Sequence, residues 1–364
     1  MLLFRGMDRE KKPGRRIVIC GGGVIGAATA YFLSQRGARP IVIERHEVAG
    51  AASGKSGGFL ALDWCRGTPL DRLARRSFRL HGELADALGN PWGFRRLDTY
   101  GGHAAAGKSS GRPARLPWLS ESVTITGQLG GPETTAIVEP RAFTTGLMRA
   151  AQAAGAEVKH GTVTGLAQGG VVLEGGETVE GDAVVIAMGP WSNMGANFEG
   201  LPPVYGLKGH SLVFDTGTAI PAEALFLEYQ EAGGEVLTPE IFPRADGTVW
   251  ACAISSTAAL PRDPADVVAD AGAHARLEAL CRSLAPALAS APIVARQACF
   301  RPVTEDGLPL IGEVPGADGV YVATGHSVWG MLNAPATGEA MAELILDGRT
   351  QHVDLAAFTP DRLR

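Results

Sequence analysis

The sequence predicts an α/β fold built around a parallel sheet, into which an α+β part based on antiparallel strands is inserted. A short apolar run, Arg16–Cys20, leads through glycines into an apolar helix over residues 24–36 and a second apolar run over residues 41–43, which is the pattern of a βαβ unit. Buried-strand patterns recur at residues 181–189 and 319–324. Parallel-strand material therefore occupies both ends and the middle of the chain.

The turn after the first strand carries the glycine spacing of a dinucleotide-binding site. Gly21, Gly23 and Gly26 give G-x-G-x-x-G between a strand and a helix. Gly21 permits the tight turn, Gly23 lets the backbone approach a pyrophosphate, and Gly26 lets helix and strand pack closely. The helix N-terminus offers N–H groups to the phosphates, and Glu44, at the end of the second strand, is placed to accept hydrogen bonds from an adenosine ribose. The unit predicts a Rossmann-like domain.

The stretches between the parallel strands differ in character. Residues 90–135 are rich in Gly, Pro, Ser and Thr, and residues 204–242 read as antiparallel strands. We therefore expect a tail (1–15), a discontinuous nucleotide-binding domain (16–90, 140–200 and 297–364) and a cap domain (91–139 and 201–296). Helices are predicted over residues 69–88, 140–154, 266–288 and 333–346.

Composition excludes several functional classes. The chain has 364 residues, of which 45% are hydrophobic and 20% charged, enough for two globular domains. A net charge of -5 argues against nucleic-acid binding, and no apolar run approaches the length of a transmembrane segment. The five dispersed cysteines indicate reduced thiols and no metal site. The first fifteen residues lack the core of a secretion signal, so we expect a cytoplasmic location, with an organelle left open.

A second stretch of small residues follows the βαβ unit. Residues 51–58 read Ala-Ala-Ser-Gly-Lys-Ser-Gly-Gly and contain no side chain able to fill a core. We predict a loop that lets a large flat ligand lie against its backbone. A flexible connector is the alternative.

Together with the C-terminal motifs, these features resemble the FAD-dependent D-amino-acid oxidase superfamily, which includes glycine oxidase and sarcosine oxidase. The most specific match is Cys-Phe-Arg-Pro-Val-Thr-Glu-Asp-Gly-Leu-Pro-Leu-Ile-Gly over residues 299–312, followed by Ala-Thr-Gly-His at 323–326 and Leu-Asn-Ala-Pro-Ala-Thr-Gly at 332–338. The resemblance implies a Rossmann-like FAD-binding domain with a parallel central sheet and an inserted α+β substrate domain on an antiparallel sheet. The residues around 57–64 look closest to a poorly characterised branch, some members of which act in trafficking or assembly.

The resemblance also implies where an extended FAD would lie. The glycine turn would hold the pyrophosphate, and the N–H groups of residues 330–332, before the last helix, would point at the flavin N1 and C2 carbonyl and stabilise negative charge there. The residues expected to bind FAD are Gly21, Gly23, Val24, Ile25, Gly26, Glu44, Arg45, Ser53, Lys55, Ser56, Gly57, Gly58, Gly189, Trp191, Gly325, Gly330, Met331 and Leu332.

Arg301 matches the position that binds the substrate carboxylate in glycine-oxidase-like members. An arginine suits this role because its planar fork grips a carboxylate with two bonds. The alternative is a salt bridge with Asp306 or Glu305. In glycine oxidase a second arginine follows the Gly-His motif, whereas Ser-Val-Trp stands here at 327–329, which puts simple amino-acid substrates in doubt. Trp329 and Trp64 are candidates for an apolar pocket.

Other candidates each have a structural alternative. Lys55 and Lys208 are candidates for a cation near the flavin N5, and His210 and His326 for removal of an amine proton. Cys299 aligns with the cysteine that carries FAD covalently in sarcosine oxidase, although a buried inert cysteine is the alternative. Glu240 is a candidate for binding a substrate cation, or else a solvated strand residue.

The resemblance thus implies an FAD-dependent oxidoreductase that oxidises the C–N bond of a small amine or amino acid by hydride transfer to flavin N5. The reduced flavin would pass its electrons to oxygen or to a quinone or protein acceptor. A different class of function is an FAD-binding assembly or trafficking factor with a mainly structural flavin. A NAD-dependent dehydrogenase fits the glycine turn but not residues 51–58 or the C-terminal motifs.

Overall fold

The computed structural model describes residues 14–108, 115–193 and 200–363, so most of the predicted tail lies outside the described residues. The strands in the described part are β1 (Arg16–Cys20), β2 (Arg39–Glu44), β3 (Phe59–Ala61), β4 (Arg95–Arg96), β5 (Asp98–Ala105), β6 (Val123–Gly130), β7 (Thr135–Ile137), β8 (Glu157–His160), β9 (Val163–Ala167), β10 (Gly170–Leu173), β11 (Thr178–Glu180), β12 (Ala183–Ile186), β13 (Tyr205–Asp215), β14 (Glu223–Gln230), β15 (Val236–Leu237), β16 (Glu240–Pro243), β17 (Thr248–Ser256), β18 (Ile293–Val303), β19 (Leu310–Glu313) and β20 (Val320–Thr324). The α-helices are α1 (Val24–Gln35), α2 (Ala52–Lys55), α3 (Asp71–Leu88), α4 (Pro140–Ala153), α5 (Ala273–Leu284), α6 (Pro286–Ser290) and α7 (Gly330–Asp347). None of these helices combines the length and apolarity needed to cross a bilayer.

A six-stranded sheet in the order β19-β20-β12-β1-β2-β8 forms the centre of the nucleotide-binding part. Its strands are parallel except for β19, which is antiparallel to β20. Successive residues of β1 point to opposite faces. Ile17 and Ile19 pack against α1, α3, α4 and α7, whereas Val18 and Cys20 pack towards the small sheet β11-β10-β9. The predicted parallel sheet is confirmed, and it is covered on both sides.

A second large sheet has the order β18-β13-β17-β16-β14-β5-β6, with β15 attached to β14. All its pairings are antiparallel except that between β14 and β5. One face packs against α5 and α6 through residues such as Leu212, Ile241 and Leu284. The opposite face carries Phe242 and Trp250, which pack towards Phe59. The antiparallel sheet expected for the inserted part is therefore present.

The segment boundaries show how tightly the two large sheets are connected. The predicted boundary at residue 297 falls inside β18, which pairs with β13 along nearly its whole length. The small sheet β3-β7-β4 also joins residues from both predicted domains. The two-domain division stays a prediction, with β18 belonging to the antiparallel sheet.

Three local predictions were wrong in detail. The helix predicted from residue 266 begins at Ala273, because Gly272 adopts a left-handed φ of 76° that interrupts helical backbone. The stretch predicted as a loop over residues 51–58 contains a single helical turn, α2. Helix α7 begins at Gly330, three residues before its predicted start, so residues 330–332 form its first turn.

Candidate cofactor and substrate site

A cavity of about 1130 Å³ lies between the carboxyl ends of β1, β2, β12 and β20 and the face of the antiparallel sheet that carries Phe242. In open α/β sheets, ligands bind outside the carboxyl ends of the strands. The predicted residues that line the cavity are Gly21, Gly23, Val24, Ile25, Glu44, Arg45, Ser53, Lys55, Ser56, Gly57, Gly58, Gly189, Trp191, His210, Glu240, Cys299, Arg301, His326, Gly330 and Met331. Gly26, Gly325 and Leu332 are not among its lining residues.

The glycine turn has the geometry that its spacing predicts. Gly21 has a φ of 110°, and an added Cβ would lie 2.5 Å from Ala187 O. At Gly26 an added Cβ would lie 2.0 Å from Gly21 O, so this glycine sits beneath the turn and permits close packing without lining the cavity. Gly23 differs, because a Cβ there would meet only Ser53 Oγ, at 3.1 Å. Its Cα faces open space in the cavity, where a ligand can approach the backbone.

Side chains hold the ends of this turn in place. One carboxylate oxygen of Glu44 accepts the Gly22 N–H (2.7 Å), and the other accepts the His46 N–H (3.0 Å). Ser53 Oγ accepts the Val24 N–H (2.9 Å) at the start of α1. The first turn of α1 contains no acidic residue. The positive end of the helix dipole is therefore left for an anionic ligand.

Helix α2 is held from the antiparallel sheet. Trp250 Nε1 donates to Lys55 O (3.0 Å), and the buried Arg244 donates to Ser56 O (2.9 Å) while lying 3.6 Å from Glu139. The Lys55 ammonium donates to Ala298 O on β18 (3.2 Å) and lines the cavity. An ammonium at this point stays a candidate for a cation beside the cofactor.

Helix α7 presents a second N-terminus to the cavity through Gly330 and Met331. Its first turn contains no acidic residue, and no side chain caps it. The preceding turn includes Ser327, a non-glycine residue with a φ of 49°. Left-handed backbone in a non-glycine residue is strained and is concentrated at functional sites. The predicted N–H groups at residues 330–332 therefore begin a real helix that faces the cavity.

This helix has an internal proline, and α3 compensates for it. Pro335 has no N–H to donate to Met331 O, the carbonyl four residues earlier. The fully buried His81 lies with Nε2 at 3.0 Å from Met331 O and 3.2 Å from Leu332 O, so Nε2 carries the donated hydrogen. Ser77, also fully buried, accepts the Ala336 N–H at 3.0 Å. Two side chains one helical turn apart on α3 thus provide hydrogen-bond partners for the backbone groups of α7 around the proline.

Arg301 lies on β18, in the wall that the antiparallel sheet contributes to the cavity. Its guanidinium donates to Ser255 Oγ (2.6 Å), and in the described part of the chain no carboxylate lies within ion-pair distance of it. The salt bridge considered above does not form with Asp306, which is bonded instead to Arg362 (2.7 Å). Arg301 is therefore a half-buried cation that is open to a ligand.

The two candidate histidines and Lys208 differ in whether their nitrogen atoms are free to contact a ligand. His210 has both ring nitrogens bonded, since Nδ1 faces Ile254 O (3.3 Å) and Nε2 accepts the Asp270 N–H (3.0 Å); burial lowers its pKa, which favours the structural alternative. His326 Nε2 lies 3.0 Å from Thr337 Oγ1, and burial lowers its pKa to about 3, so the ring is neutral. Lys208 is paired with Asp270 (2.5 Å) and does not line the cavity.

Cys299 lines the cavity but is poorly disposed to react. Burial raises the pKa of its thiol, and the nearby Lys55 and Arg301 only oppose that rise. Covalent flavin attachment requires a thiolate nucleophile. The geometry therefore favours the inert-cysteine alternative.

A segment between β17 and α5 lies over Arg45, His46 and Trp191, which line the cavity. Trp191 Nε1 donates to Pro261 O (2.8 Å), Arg45 donates to Arg262 O (3.0 Å), and His46 Nε2 lies 2.5 Å from Asp263. We call residues 261–265 the crossing segment. Its Pro264 and Ala265 line the cavity.

The site fits a dinucleotide with a large flat ring system. The open backbone at Gly23 and the first turns of α1 and α7, neither of which contains an acidic residue, offer N–H groups to the cavity. Ser56 Oγ and His326 Nδ1 are buried lining-residue atoms with no hydrogen-bond partner among the described residues. Such orphaned polar atoms require a partner from a ligand or water.

The profile of the DAO family, described as FAD dependent oxidoreductase, matches residues 16–344. The chain belongs to this FAD-dependent oxidoreductase family. Its cofactor is FAD, as predicted.

Individual relatives of this DAO-family chain cover nearly its whole length. A protein of Schizosaccharomyces pombe, named as an oxidoreductase without a stated substrate, is 28% identical over 385 residues (95% of this chain, 98% of the relative). Glycine oxidase of Pseudomonas aeruginosa is 28% identical over 373 residues (95% and 98%). The crystal structure of glycine oxidase from Geobacillus kaustophilus matches with a TM-score of 0.79 at 27% identity (95% and 98%). L-proline dehydrogenase from P. horikoshii shares the fold, with a TM-score of 0.78 at 20% identity (96% and 97%).

Several residues that shape the site of this family member were not found by sequence reasoning. Arg244, Ser77 and His81 act from elements far along the chain, and no local motif marks them. A signal did exist for the last two, because a proline inside the α7 pattern predicts carbonyls and N–H groups that need outside partners.

Proposed function

We propose that this oxidoreductase oxidises the C–N bond of a small amine or amino acid. The observation that carries the proposal is Arg301, a cation on the cavity wall whose described hydrogen-bond partner is a neutral hydroxyl, Ser255 Oγ. A half-buried guanidinium without a carboxylate partner is suited to receive one from a ligand. Glycine oxidases, to which the chain is similar, act on an amino acid by name.

FAD, when bound, supplies a hydride acceptor and passes the electrons to a second acceptor. The chain contributes position and electrostatics. Arg301 holds the carboxylate end of a substrate, and the first turn of α7 directs N–H groups towards the side of the cavity where negative charge develops. His326 Nδ1 belongs to a neutral ring that lines the same cavity, has no partner among the described residues, and is available for a hydrogen bond with the substrate amine.

Aromatic rings lie beside these charged groups in the cavity wall. The rings of Phe59, Trp64, Phe226, Phe242 and Trp250 all line the cavity, with neighbouring centroids 4.9–5.4 Å apart. We call these five residues the aromatic wall. An apolar wall beside the charged groups lowers the local dielectric and strengthens their interaction with a substrate.

The test is anaerobic mixing of the FAD-bound protein with a panel of amines and amino acids, followed by the flavin absorbance. Bleaching by an amino acid supports the proposal. Arg301→Ala should then weaken binding of that substrate about 10- to 100-fold, because a hydrogen bond to a charged group contributes ~1.5–3 kcal/mol, while FAD stays bound.

Arg296→Ala is the matched control. Arg296 lies on the same strand, pairs with Glu278 (2.7 Å) and does not line the cavity. Unchanged kinetics in Arg301→Ala would remove its role as the carboxylate site. If no compound of the panel bleaches the flavin, the proposal fails, and the assembly-factor alternative gains support.

A further inference from the structure

Glu240 occupies a distinctive place on the substrate side of the cavity. On β16 its neighbour Ile241 packs towards α5 and α6, so Glu240 and Phe242 share the opposite face, which is the cavity face. In register, Glu240 lies between Phe226 on β14 and Cys252 on β17. Among the lining residues contributed by β13, β14, β16, β17 and β18, Glu240 is the only acid.

The Glu240 carboxylate has little internal compensation. Its one hydrogen bond from the described residues comes from the Cys252 thiol, a weak donor, at 3.6 Å from Oε2. A half-buried carboxylate that accepts so few hydrogen bonds carries a desolvation cost that the protein offsets only in part. A ligand cation at this position would offset that cost.

The aromatic wall adjoins this carboxylate. Phe226 is the cross-strand partner of Glu240, and Phe242 lies two residues further along the same strand. The faces of aromatic rings attract alkylammonium groups, which keep a positive charge while exposing apolar methyl or methylene groups. The Glu240 carboxylate would attract the positive charge of such a group, and the aromatic rings would contact its apolar methyl or methylene groups.

There is also space around Glu240. Phe226, Thr238 and Glu240 line a second cavity of about 430 Å³, bounded by Gly101 and Gly102 of β5. A substituent larger than a proton is therefore accommodated near the carboxylate. The opposite charge, Arg301, lies on β18 in the same main cavity and opposes the burial-induced rise in the pKa of Glu240.

We propose that Glu240 and the aromatic wall form a subsite for a cationic alkylammonium group of the ligand, within the main cavity and opposite in charge to Arg301. The inference rests on the proposed function in placing a substrate in this cavity. It assigns the substrate class more narrowly, as an amine or zwitterion whose ammonium group carries apolar substituents. Small, fully hydrated amino acids such as glycine lack the surface that the wall would cover.

The experiment is calorimetric titration of the FAD-bound protein with choline and with its uncharged isostere, 3,3-dimethylbutan-1-ol. The two probes differ in a single atom and in charge. We expect choline to bind at least about tenfold more tightly, equivalent to ~1.4 kcal/mol. Because the choline nitrogen has no lone pair and is not oxidised at its C–N bond, binding is measured independently of flavin reduction.

Variants test whether the preference for choline arises at Glu240 and the aromatic wall. Glu240→Gln should abolish the preference for choline over the isostere, and Phe226→Leu should weaken choline binding several-fold. Glu47→Gln is the matched control, since Glu47 also lines the cavity but lies on the cofactor side and pairs with Arg141 (3.2 Å). FAD content and melting temperature confirm that each variant is folded.

Equal affinity for the two probes, or an unchanged preference in Glu240→Gln, overturns the subsite. If the preference holds but no amine reduces the flavin, the proposed oxidation is wrong and the cation subsite stands. If amines reduce the flavin but choline is not preferred, the proposed oxidation stands and the cation subsite is wrong.

Discussion

The N-termini of α1 and α7 face the same cavity, but they are built in different ways. Both first turns lack acidic residues, so each presents a positive dipole end to the cavity, although Ser53 Oγ accepts the Val24 N–H at the start of α1. At α1 the support is a glycine turn within a few residues and one hydroxyl, Ser53. At α7 the helix is interrupted at Pro335 and is completed by His81 and Ser77 of α3.

The comparison shows that equivalent electrostatics can be encoded locally or by distant contacts. The α1 terminus needs no partner outside its βαβ unit except Ser53. The α7 terminus depends on His81, which is separated from Met331 by 250 residues in sequence. We expect substitutions at the α1 turn to reduce cofactor binding directly. Substitutions on α3 should instead reduce the stability and order of α7, and affect cofactor binding through that loss.

The largest effect is expected from Gly23→Ala at the α1 turn. Within the protein, the added methyl group would meet only Ser53 Oγ, at 3.1 Å, so that side chain has to shift by a few tenths of an ångström, whereas a bound pyrophosphate would meet the methyl group directly. Overpacking of this kind costs ~1–3 kcal/mol, so FAD affinity should fall about 10- to 100-fold. The measurement is the ratio of flavin to protein absorbance, with a melting curve of the FAD-free form.

Gly82→Ala on α3 is the control for that substitution. A Cβ there would meet its nearest atom at 3.9 Å, outside the cavity, so FAD content should be unchanged. Full FAD binding by Gly23→Ala would show that the backbone at this position does not approach the cofactor.

An intermediate effect is expected from His81→Leu. The change leaves Met331 O and Leu332 O without their donor, and an unsatisfied buried group costs ~1–3 kcal/mol in the free energy of unfolding. His81→Gln, which keeps an N–H donor, should lose less of the free energy of unfolding than His81→Leu. The affinity of the bound flavin for sulfite, which reports positive potential near the ring, should weaken in the leucine variant more than in the glutamine variant.

Pro335→Ala sharpens this test in the His81→Leu background. An alanine restores an N–H that can donate to Met331 O along the helix. We expect it to stabilise the double variant more than it stabilises the parent protein. Equal effects in both backgrounds would mean that His81 and Pro335 are not coupled, and the account of α7 would be wrong.

The smallest effect at neutral pH is expected from the titration of His81. Burial lowers the pKa of His81 from 6.5 to about 4, so the unfolded chain binds more protons than the folded protein between those values. Stability is complete above about pH 6.5 and falls as the pH falls towards 4. His81→Gln should flatten this dependence by up to one proton, ~1.4 kcal/mol per pH unit. Denaturant midpoints at a series of pH values provide the measurement; parallel curves for both proteins would contradict it.

The sequence predicted the α1 side of this comparison well, because its information is local. The strand, turn and helix around Gly21 and Gly23 and the acid at Glu44 lie where the βαβ pattern put them. The same holds for the motif that places Arg301 at the cavity.

Residues that act across the fold could not be predicted in this way. Nothing in the local sequence distinguishes Arg244, directly after β16, or His81, on α3. Only tertiary packing places Arg244 beside α2 and His81 beside α7. Lys208 was a candidate for a cation near the flavin N5, but its ion-pair partner Asp270 comes from a loop that no sequence pattern linked to it. The start of α5 was misplaced because a helical period was read through Gly272, where the backbone is left-handed.

The crossing segment has a consequence for the lifetime of the complex with FAD. It is bonded to Arg45, His46 and Trp191, all on the cofactor side, while the chain on either side of it belongs to the antiparallel sheet and its helices. A cofactor leaving by this side has to separate those bonds together. Each is worth little at equilibrium, but their joint rupture sets an activation barrier. We therefore expect FAD to exchange slowly, with a residence time governed by this segment more than by the contacts that set its affinity.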